Sequence, residues 1–169
     1  MNSDLDEPTS ADIKGWIAPL GWFTLVYFIS FLGYLGGSQG LWFWYVSLRR
    51  PDWGIPGWGF TIAWTFIYGV VASASWQVKQ SLPSGPRTTS LILCGLLIGS
   101  SAIWPWVFFA WHQQKGGFIF AAIIAALSLV SVFPFWKTRP SAGGLMLVQL
   151  FWAVYVSILC LAVWQGNLQ

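Results

Sequence analysis

The side chains that could carry chemistry in this chain are indoles rather than ionisable groups. Its 169 residues include 14 Trp but a single His, and the long apolar runs contain no Asp, Glu, Lys or Arg. General acid–base and nucleophilic catalysis need a positioned acid, base or activated nucleophile, and these runs supply no such set. An indole offers a flat apolar face and one N–H donor that needs a partner when it is buried. The composition therefore favours binding of an apolar molecule over conventional catalysis.

Five stretches free of charged residues must position these indoles. Only 8% of the residues are charged, against about 25% in soluble proteins. Each stretch is long enough for a helix of about 20 residues, which crosses roughly 30 Å of hydrocarbon. Because backbone polar groups in lipid must be satisfied within each span, we predict an all-α integral membrane protein, a five-transmembrane-helix bundle. The spans lie near residues 16–36, 57–78, 89–111, 116–136 and 142–164, within one membrane domain at residues 15–169.

Two longer segments lie outside these spans. Residues 1–14 carry four acidic residues, the reverse of a signal peptide's basic start, so we expect a retained and mostly disordered polar tail. Residues 37–56 are interpreted as a lid loop over the bundle. Its prolines fix φ and its glycines permit tight turns, so the loop is expected to form a stiff cover that holds Trp53 in place.

Helical geometry brings three indoles beneath that loop. At about 1.5 Å per residue, Trp64 and Trp104 lie roughly 10 Å, and Trp152 roughly 18 Å, below the ends of their spans nearest the loop. Rings on three helices can converge on one cavity, which would suit a large, planar, mostly apolar ligand rather than an ion or a sugar. Core packing is the alternative use of the same rings.

One stretch of the sequence, residues 44–68, resembles the signature region of the translocator protein family, also called the tryptophan-rich sensory proteins. It reads WYVSLRRPDWGIPGWGFTIAWTFIY and fits the family pattern WYxxLxKPxWxPPxWxFxxxWxxLY without a gap. Residues 103–109, IWPWVFF, resemble the family's LWxPxFF more loosely. In span five Trp152 is kept, but Val148 and Gln149 replace a proline and a tyrosine, and Ser101 replaces an asparagine in span three.

The resemblance implies a five-helix membrane protein, commonly a dimer, that binds tetrapyrroles such as protoporphyrin and haem, and in some members sterols. Some bacterial members are reported to promote light-dependent porphyrin breakdown with two tryptophans, which correspond here to Trp64 and Trp152. No cofactor or metal is required by this interpretation, and the tetrapyrrole is a ligand.

We therefore expect a membrane receptor or sensor that holds a tetrapyrrole, or a similar flat hydrophobic ligand such as a sterol, under the lid loop. The expected ligand-binding residues are Tyr45, Trp53, Pro56, Trp64, Ser101, Trp104, Phe108, Gln149 and Trp152. A light-dependent porphyrin-degrading enzyme that uses Trp64 and Trp152 is the first alternative. A transporter of porphyrin or lipid-like molecules is the second, although transporters usually carry ionisable residues or broken helices within the membrane.

A stripe of small residues in span three indicates close helix packing. Gly95 and Gly99 form a GxxxG motif, and Ala102 extends it. Such a stripe serves either a homodimer interface or packing within the bundle. A second copy and membrane lipids are the expected partners besides the ligand. No nucleic-acid partner is expected, because the net charge of +3 is spread over short loops with no basic block.

The residues that could ligate a metal are few and scattered. Cys94 and Cys160 fall within predicted spans without metal-site spacing, so we expect two buried free thiols. His112 stands at the end of span three. One histidine does not define a haem site, and we expect a solvated interface residue there rather than an iron ligand.

Overall fold

The structure is a computed structural model that describes residues 10–168, except for the side chains of residues 10–14 and Gln39. Its elements are α1 Ser10–Trp42, α2 Trp44–Ser47, α3 Gly57–Lys79, α4 Gly85–Pro105, a π-helical turn Trp106–Ala110, α5 Gln114–Thr138 and α6 Pro140–Gly166. The segments Gly15–Ser38, Gly57–Lys79, Gly85–Ala110, Gln114–Thr138 and Pro140–Gly166 are each long and apolar enough to cross a membrane. The predicted all-helical, five-span membrane architecture is confirmed.

The first helix extends beyond its predicted span at both ends. Residues 37–42, expected in the lid loop, continue α1, and α2 follows, so only residues 48–56 connect the helices without regular structure. Glycines near residue 40 are compatible with a loop. In the structure their missing side chains admit a neighbour instead, since a Cβ on Gly40 would collide with the Phe109 carbonyl oxygen. At the other end residues 10–14 are helical, and the rest of the expected tail lies outside the described residues.

A proline reshapes the end of α4. Pro105 has no N–H, so the regular ladder is interrupted at that residue, and the following turn, Trp106–Ala110, is π-helical. The backbone N–H of Trp111 donates to the Trp106 carbonyl at 2.9 Å and closes this turn. His112 then adopts a φ of 54°, in the left-handed region, and reverses the chain toward α5.

Helix α1 lies at the periphery of the bundle. In its most apolar window 6% of the residues are buried, against 33% to 44% in the other four spans. Its firm contacts are with α4 and the π-helical turn: a Cβ on Gly33 would lie 3.0 Å from the Cα of Ala102, and the Trp106 indole donates to the Leu32 carbonyl at 3.0 Å. A cavity lies between α1, α3 and α4.

Candidate ligand-binding site

Three indoles from three helices meet inside the bundle. The ring centroid of Trp64 on α3 lies 5.8 Å from that of Trp104 on α4 and 5.8 Å from that of Trp152 on α6. The three rings therefore lie together, although the predicted convergence on one cavity holds only for Trp64 and Trp104. The rings differ in their hydrogen bonding, because Trp104 donates to the Gly117 carbonyl at 3.0 Å, whereas the buried Nε1 atoms of Trp64 and Trp152 have no partner among the described residues.

A cavity of about 350 Å³ opens beside Trp64. This volume falls in the range of about 300–1,000 Å³ found for small-molecule sites. None of the described residues that line the cavity is charged. The lining residues are Tyr27, Ser30, Phe31, Tyr34, Gly37 and Leu41 from α1, Phe60, Thr61, Trp64, Thr65 and Tyr68 from α3, Ser101, Trp104 and Pro105 from α4, and Phe109 from the π-helical turn.

Only some of the expected ligand-binding residues reach this cavity. Trp64, Ser101 and Trp104 line it, and their contact with a ligand stays a prediction. Trp152 does not, because its ring packs against the wall residues Phe60 and Trp64 and otherwise faces a groove between α3 and α6. The wall thus has two indole faces, with the third indole behind one of them.

Four other expected residues lie outside the cavity, because packing within the bundle directs their side chains toward other contacts. Phe108 is buried and stacks on Trp104, with ring planes 9° apart. Gln149 faces α5, where its amide donates to the Ser128 hydroxyl at 3.3 Å. Trp53 lines the outer α3–α6 groove, and Pro56 lines a separate depression in the loop.

The connection at residues 48–56 is fastened to the bundle by tyrosines. Tyr45 is fully buried, and its hydroxyl donates to the Ile55 carbonyl at 3.3 Å. The Ile55 N–H donates to the Tyr155 hydroxyl on α6, and that hydroxyl donates to the Trp53 carbonyl at 3.3 Å. Burial raises the pKa of Tyr45 to about 12 against the opposing charge of Arg50, so this hydroxyl stays protonated at neutral pH. Tyr45 therefore holds the loop rather than lining the cavity.

A second fastening joins the loop to the end of α6. The side chain of Asn167 accepts from the Arg49 backbone N–H at 3.0 Å and donates to the Arg49 carbonyl at 2.9 Å. The Arg50 guanidinium lies 4.9 Å from the centre of the Tyr45 ring, a cation–π contact. Together these contacts close the bundle at its loop end.

Apart from that of Ser101 on α4, the hydroxyl groups of the cavity were not identified from the sequence. They lie on two helices at regular spacing, Tyr27, Ser30 and Tyr34 on α1 and Thr61, Thr65 and Tyr68 on α3. Steps of three or four residues place side chains on one helix face. This repeated spacing of hydroxyls inside apolar spans was the signal that could have revealed them.

The small stripe on α4 divides between two environments. Ala102 packs against Gly33 of α1, within the chain. A Cβ on Gly95 or Gly99 would meet no atom within 4 Å, so both glycines face outward.

The buried, unpaired state predicted for Cys94 and Cys160 is confirmed, while His112 is exposed and stacks on Trp44, with ring centroids 4.6 Å apart.

Comparison with known proteins agrees with this architecture. The profile of the TspO/MBR family matches residues 22–165. Protein CrtK of Rhodobacter capsulatus is 24% identical over 125 residues, 73% of this chain and 78% of its own length. A tryptophan-rich sensory protein of Cereibacter sphaeroides is 26% identical, over 65% of this chain and 68% of its own length. The tryptophan-rich protein TspO of Archaeoglobus fulgidus is 27% identical, over 82% of this chain and 90% of its own length. Since the profile spans most of the 169 residues, the chain belongs to the TspO/MBR family.

Proposed function

We propose that the protein is a membrane receptor or sensor that binds a tetrapyrrole, such as protoporphyrin or haem, in the cavity beside Trp64. The observation that carries this proposal is an uncharged cavity of about 350 Å³ whose wall includes the indoles of Trp64 and Trp104. Flat π faces in an apolar setting suit a planar apolar ring, and a sterol is the other ligand class that such a wall would accept. A relative named a tryptophan-rich sensory protein supports a sensing role.

A light-dependent porphyrin-degrading activity is the second candidate, favoured by the pair Trp64 and Trp152. Their rings lie 5.8 Å apart, and only Trp64 lines the cavity. A porphyrin excited by light could take one electron from Trp64, which would give a porphyrin radical anion and an indole radical cation. Trp152 is close enough to share the positive charge, and dissolved dioxygen would be the oxidant for the breakdown of the ring. Such chemistry needs no ionisable group at the site, which agrees with the uncharged lining.

A titration of the purified protein with protoporphyrin, in the dark and under illumination, tests both candidates. Tryptophan quenching would follow binding, and porphyrin absorbance would follow breakdown. The variants Trp64→Phe and Trp152→Phe would be compared with Trp164→Phe. Trp164 lies near the end of α6, where its indole stacks on Phe118 of α5. The control keeps the number of indoles equal among the three variants.

Saturable dark binding that is weakened by Trp64→Phe and not by Trp164→Phe would support the receptor. Loss of porphyrin absorbance in the light that is reduced by Trp64→Phe and by Trp152→Phe would support the porphyrin-degrading activity as well. Quenching without saturation in the wild-type protein would overturn the proposed tetrapyrrole function.

A further inference from the structure

The cavity has a side opening between α1 and α3. Tyr27, Phe31 and Tyr34 line the cavity, and yet 37%, 52% and 43% of their respective surfaces are exposed on the outside of the bundle. Thr65, on the opposite edge, is likewise both a lining residue and exposed. Residues that belong to the cavity wall and to the outer surface mark a place where the wall is open. These four residues are here called the seam.

The seam lies within the membrane. Tyr27 stands midway along the α1 span Gly15–Ser38, and Thr65 lies inside the α3 span Gly57–Lys79. The outside of the bundle at this depth contacts lipid rather than water. A molecule dissolved in the bilayer therefore meets the opening directly, without crossing the loop at residues 48–56.

The fastening of α1 to α3 at the seam is slight. The Tyr27 hydroxyl donates to the Thr65 carbonyl at 3.2 Å, and the Trp22 indole donates to the Ser75 hydroxyl farther along the helix pair. The opposite side of α1 is held by close backbone contact with Ala102 and by the Trp106 hydrogen bond. The Lys79 ammonium also lies 4.4 Å from the centre of the Trp22 ring, so these contacts of α1 with α3 are made by side chains of α1, whereas Gly33 meets α4 at its backbone.

The loop end offers a poorer route. A ligand that passed there would have to break the hydrogen bonds of Tyr45 and Tyr155, the paired bonds between Arg49 and Asn167, and the contact of Arg50 with the Tyr45 ring. At the seam a single described hydrogen bond, between Tyr27 and Thr65, stands across the opening. The difference in the number of contacts favours the seam.

We propose that the ligand enters the cavity from the bilayer through the seam, and that hydroxyl groups deeper in the cavity bind its polar edge. This proposal rests on the proposed function and narrows the ligand to an amphiphile: an apolar planar body that lies against Trp64 and a polar edge that accepts hydrogen bonds. Hydroxyls of Ser30, Thr61 and Tyr68 face the same cavity from both helices. Inside lipid such donors find few other partners, so they select for a ligand that supplies acceptors.

Two opposite changes test the route with protoporphyrin delivered from preloaded vesicles. Thr65→Trp fills the seam, and Phe66→Trp, on the neighbouring exposed position of α3, is its matched control. A double variant, Arg49→Cys with Asn167→Cys, allows the loop to be joined to α6 with a short thiol-reactive crosslinker. Wild-type protein treated with the same reagent controls for reaction at the buried Cys94 and Cys160.

We expect Thr65→Trp to slow association by about tenfold or more, because the path then requires a larger conformational change. Phe66→Trp and the crosslinked loop should leave the rate within about twofold of wild type. Slow association in the crosslinked loop variant, together with a normal rate in Thr65→Trp, would overturn the seam route.

A second readout does not depend on porphyrin binding, so the two proposals can fail separately. Ser101→Cys places a thiol in the cavity at a position that is 3% exposed. Its labelling by a bilayer-dissolved pyrenyl maleimide should be slowed by Thr65→Trp and unchanged by Phe66→Trp, relative to the parent chain with its native thiols. Equal labelling in both variants would overturn the route even if porphyrin binds, and unequal labelling would support it even if porphyrin does not.

Discussion

The indole of Trp152 meets the indole of Trp64 edge-on, with ring centroids 5.8 Å apart and ring planes at 88°. Only Trp64 is also a wall of the cavity, whereas Trp152 faces the outer α3–α6 groove. Two residues that the family resemblance treats alike therefore occupy different positions relative to the cavity. Substitution of Trp64 should therefore weaken both binding and photochemistry, whereas substitution of Trp152 should weaken photochemistry with little effect on binding.

Substitution at the two positions should weaken protoporphyrin binding unequally. Trp64→Phe removes part of the ring face that contacts the ligand, and aromatic contacts contribute about 0.5–1.5 kcal/mol each, so we expect the Kd to rise about two- to tenfold. Trp152→Phe should change the Kd by less than about twofold, because Trp152 reaches the cavity only indirectly, through the wall residues Phe60 and Trp64. Quenching titrations in the dark give both values, and an equal loss at the two positions would place Trp152 against the ligand.

Trp104 should matter for stability as well as for the cavity. Its indole ties α4 to α5 through the Gly117 carbonyl at 3.0 Å, and the residue is fully buried. Trp104→Phe removes this bond and leaves unfilled volume, so the free energy of unfolding should fall by about 1–3 kcal/mol. Thermal unfolding in detergent measures this loss, and Trp111→Phe, at a residue that is 60% exposed, is the control. Equal unfolding temperatures for the two variants would contradict the assigned role.

The position and depth of residues along the spans could be predicted from length and hydropathy. The direction in which each side chain points around its helix could not. The depth of Trp64 and Trp104 followed from the rise per residue, and both line the cavity. The direction of Gln149 did not follow, because packing of α6 on α5 turns it to Ser128. When every face of a helix is apolar, the sequence does not indicate how the helix is rotated about its axis, and so does not indicate which side chains face the cavity.

The length of α1 illustrates the same limit in another way. Glycine near residue 40 is as consistent with a turn as with close approach of two helices, and only the contact with Phe109 decides between them. The hydroxyl positions on α1 and α3 were present in the sequence as a repeated spacing. They became meaningful once the two helices were known to share a cavity.

Gly40→Ala should disrupt the contact between α1 and the π-helical turn. The added Cβ would collide with the backbone carbonyl oxygen of Phe109, which cannot move aside like a flexible side chain. Overpacking of this kind costs about 1–3 kcal/mol, so the unfolding temperature should fall. Gly144→Ala, on α6 with no atom within 4 Å of the new Cβ, is the matched control and should be neutral or slightly stabilising. A destabilised control with an unaffected Gly40→Ala would refute this contact.

The loop fastening should fail only in strong alkali. Burial raises the pKa of Tyr45 from 10.0 to about 12. Because the folded-state pKa lies above the unfolded value, the stabilisation is fully present below pH 10.0 and is lost as the pH rises toward about 12. Unfolding temperatures measured across this window should fall more steeply for the wild-type protein than for Tyr45→Phe. Parallel curves for the two proteins would show that Tyr45 ionises as freely in the folded state as in the unfolded chain.

The outward-facing glycines of α4 make the expected homodimer testable. Gly95 and Gly99 have open space where a Cβ would stand, so a larger side chain there does not disturb the folded monomer. If a second copy packs on this face, Gly95→Leu would prevent the close approach of the two helices and shift the protein to monomer. Light scattering of the purified protein measures the mass. Gly144→Leu, on α6 and likewise with open space at the new Cβ, is the control for an added leucine side chain. A Gly95→Leu protein that keeps the dimer mass would exclude this face of α4 as the interface, and Ala102 would then serve only the packing of α1 on α4.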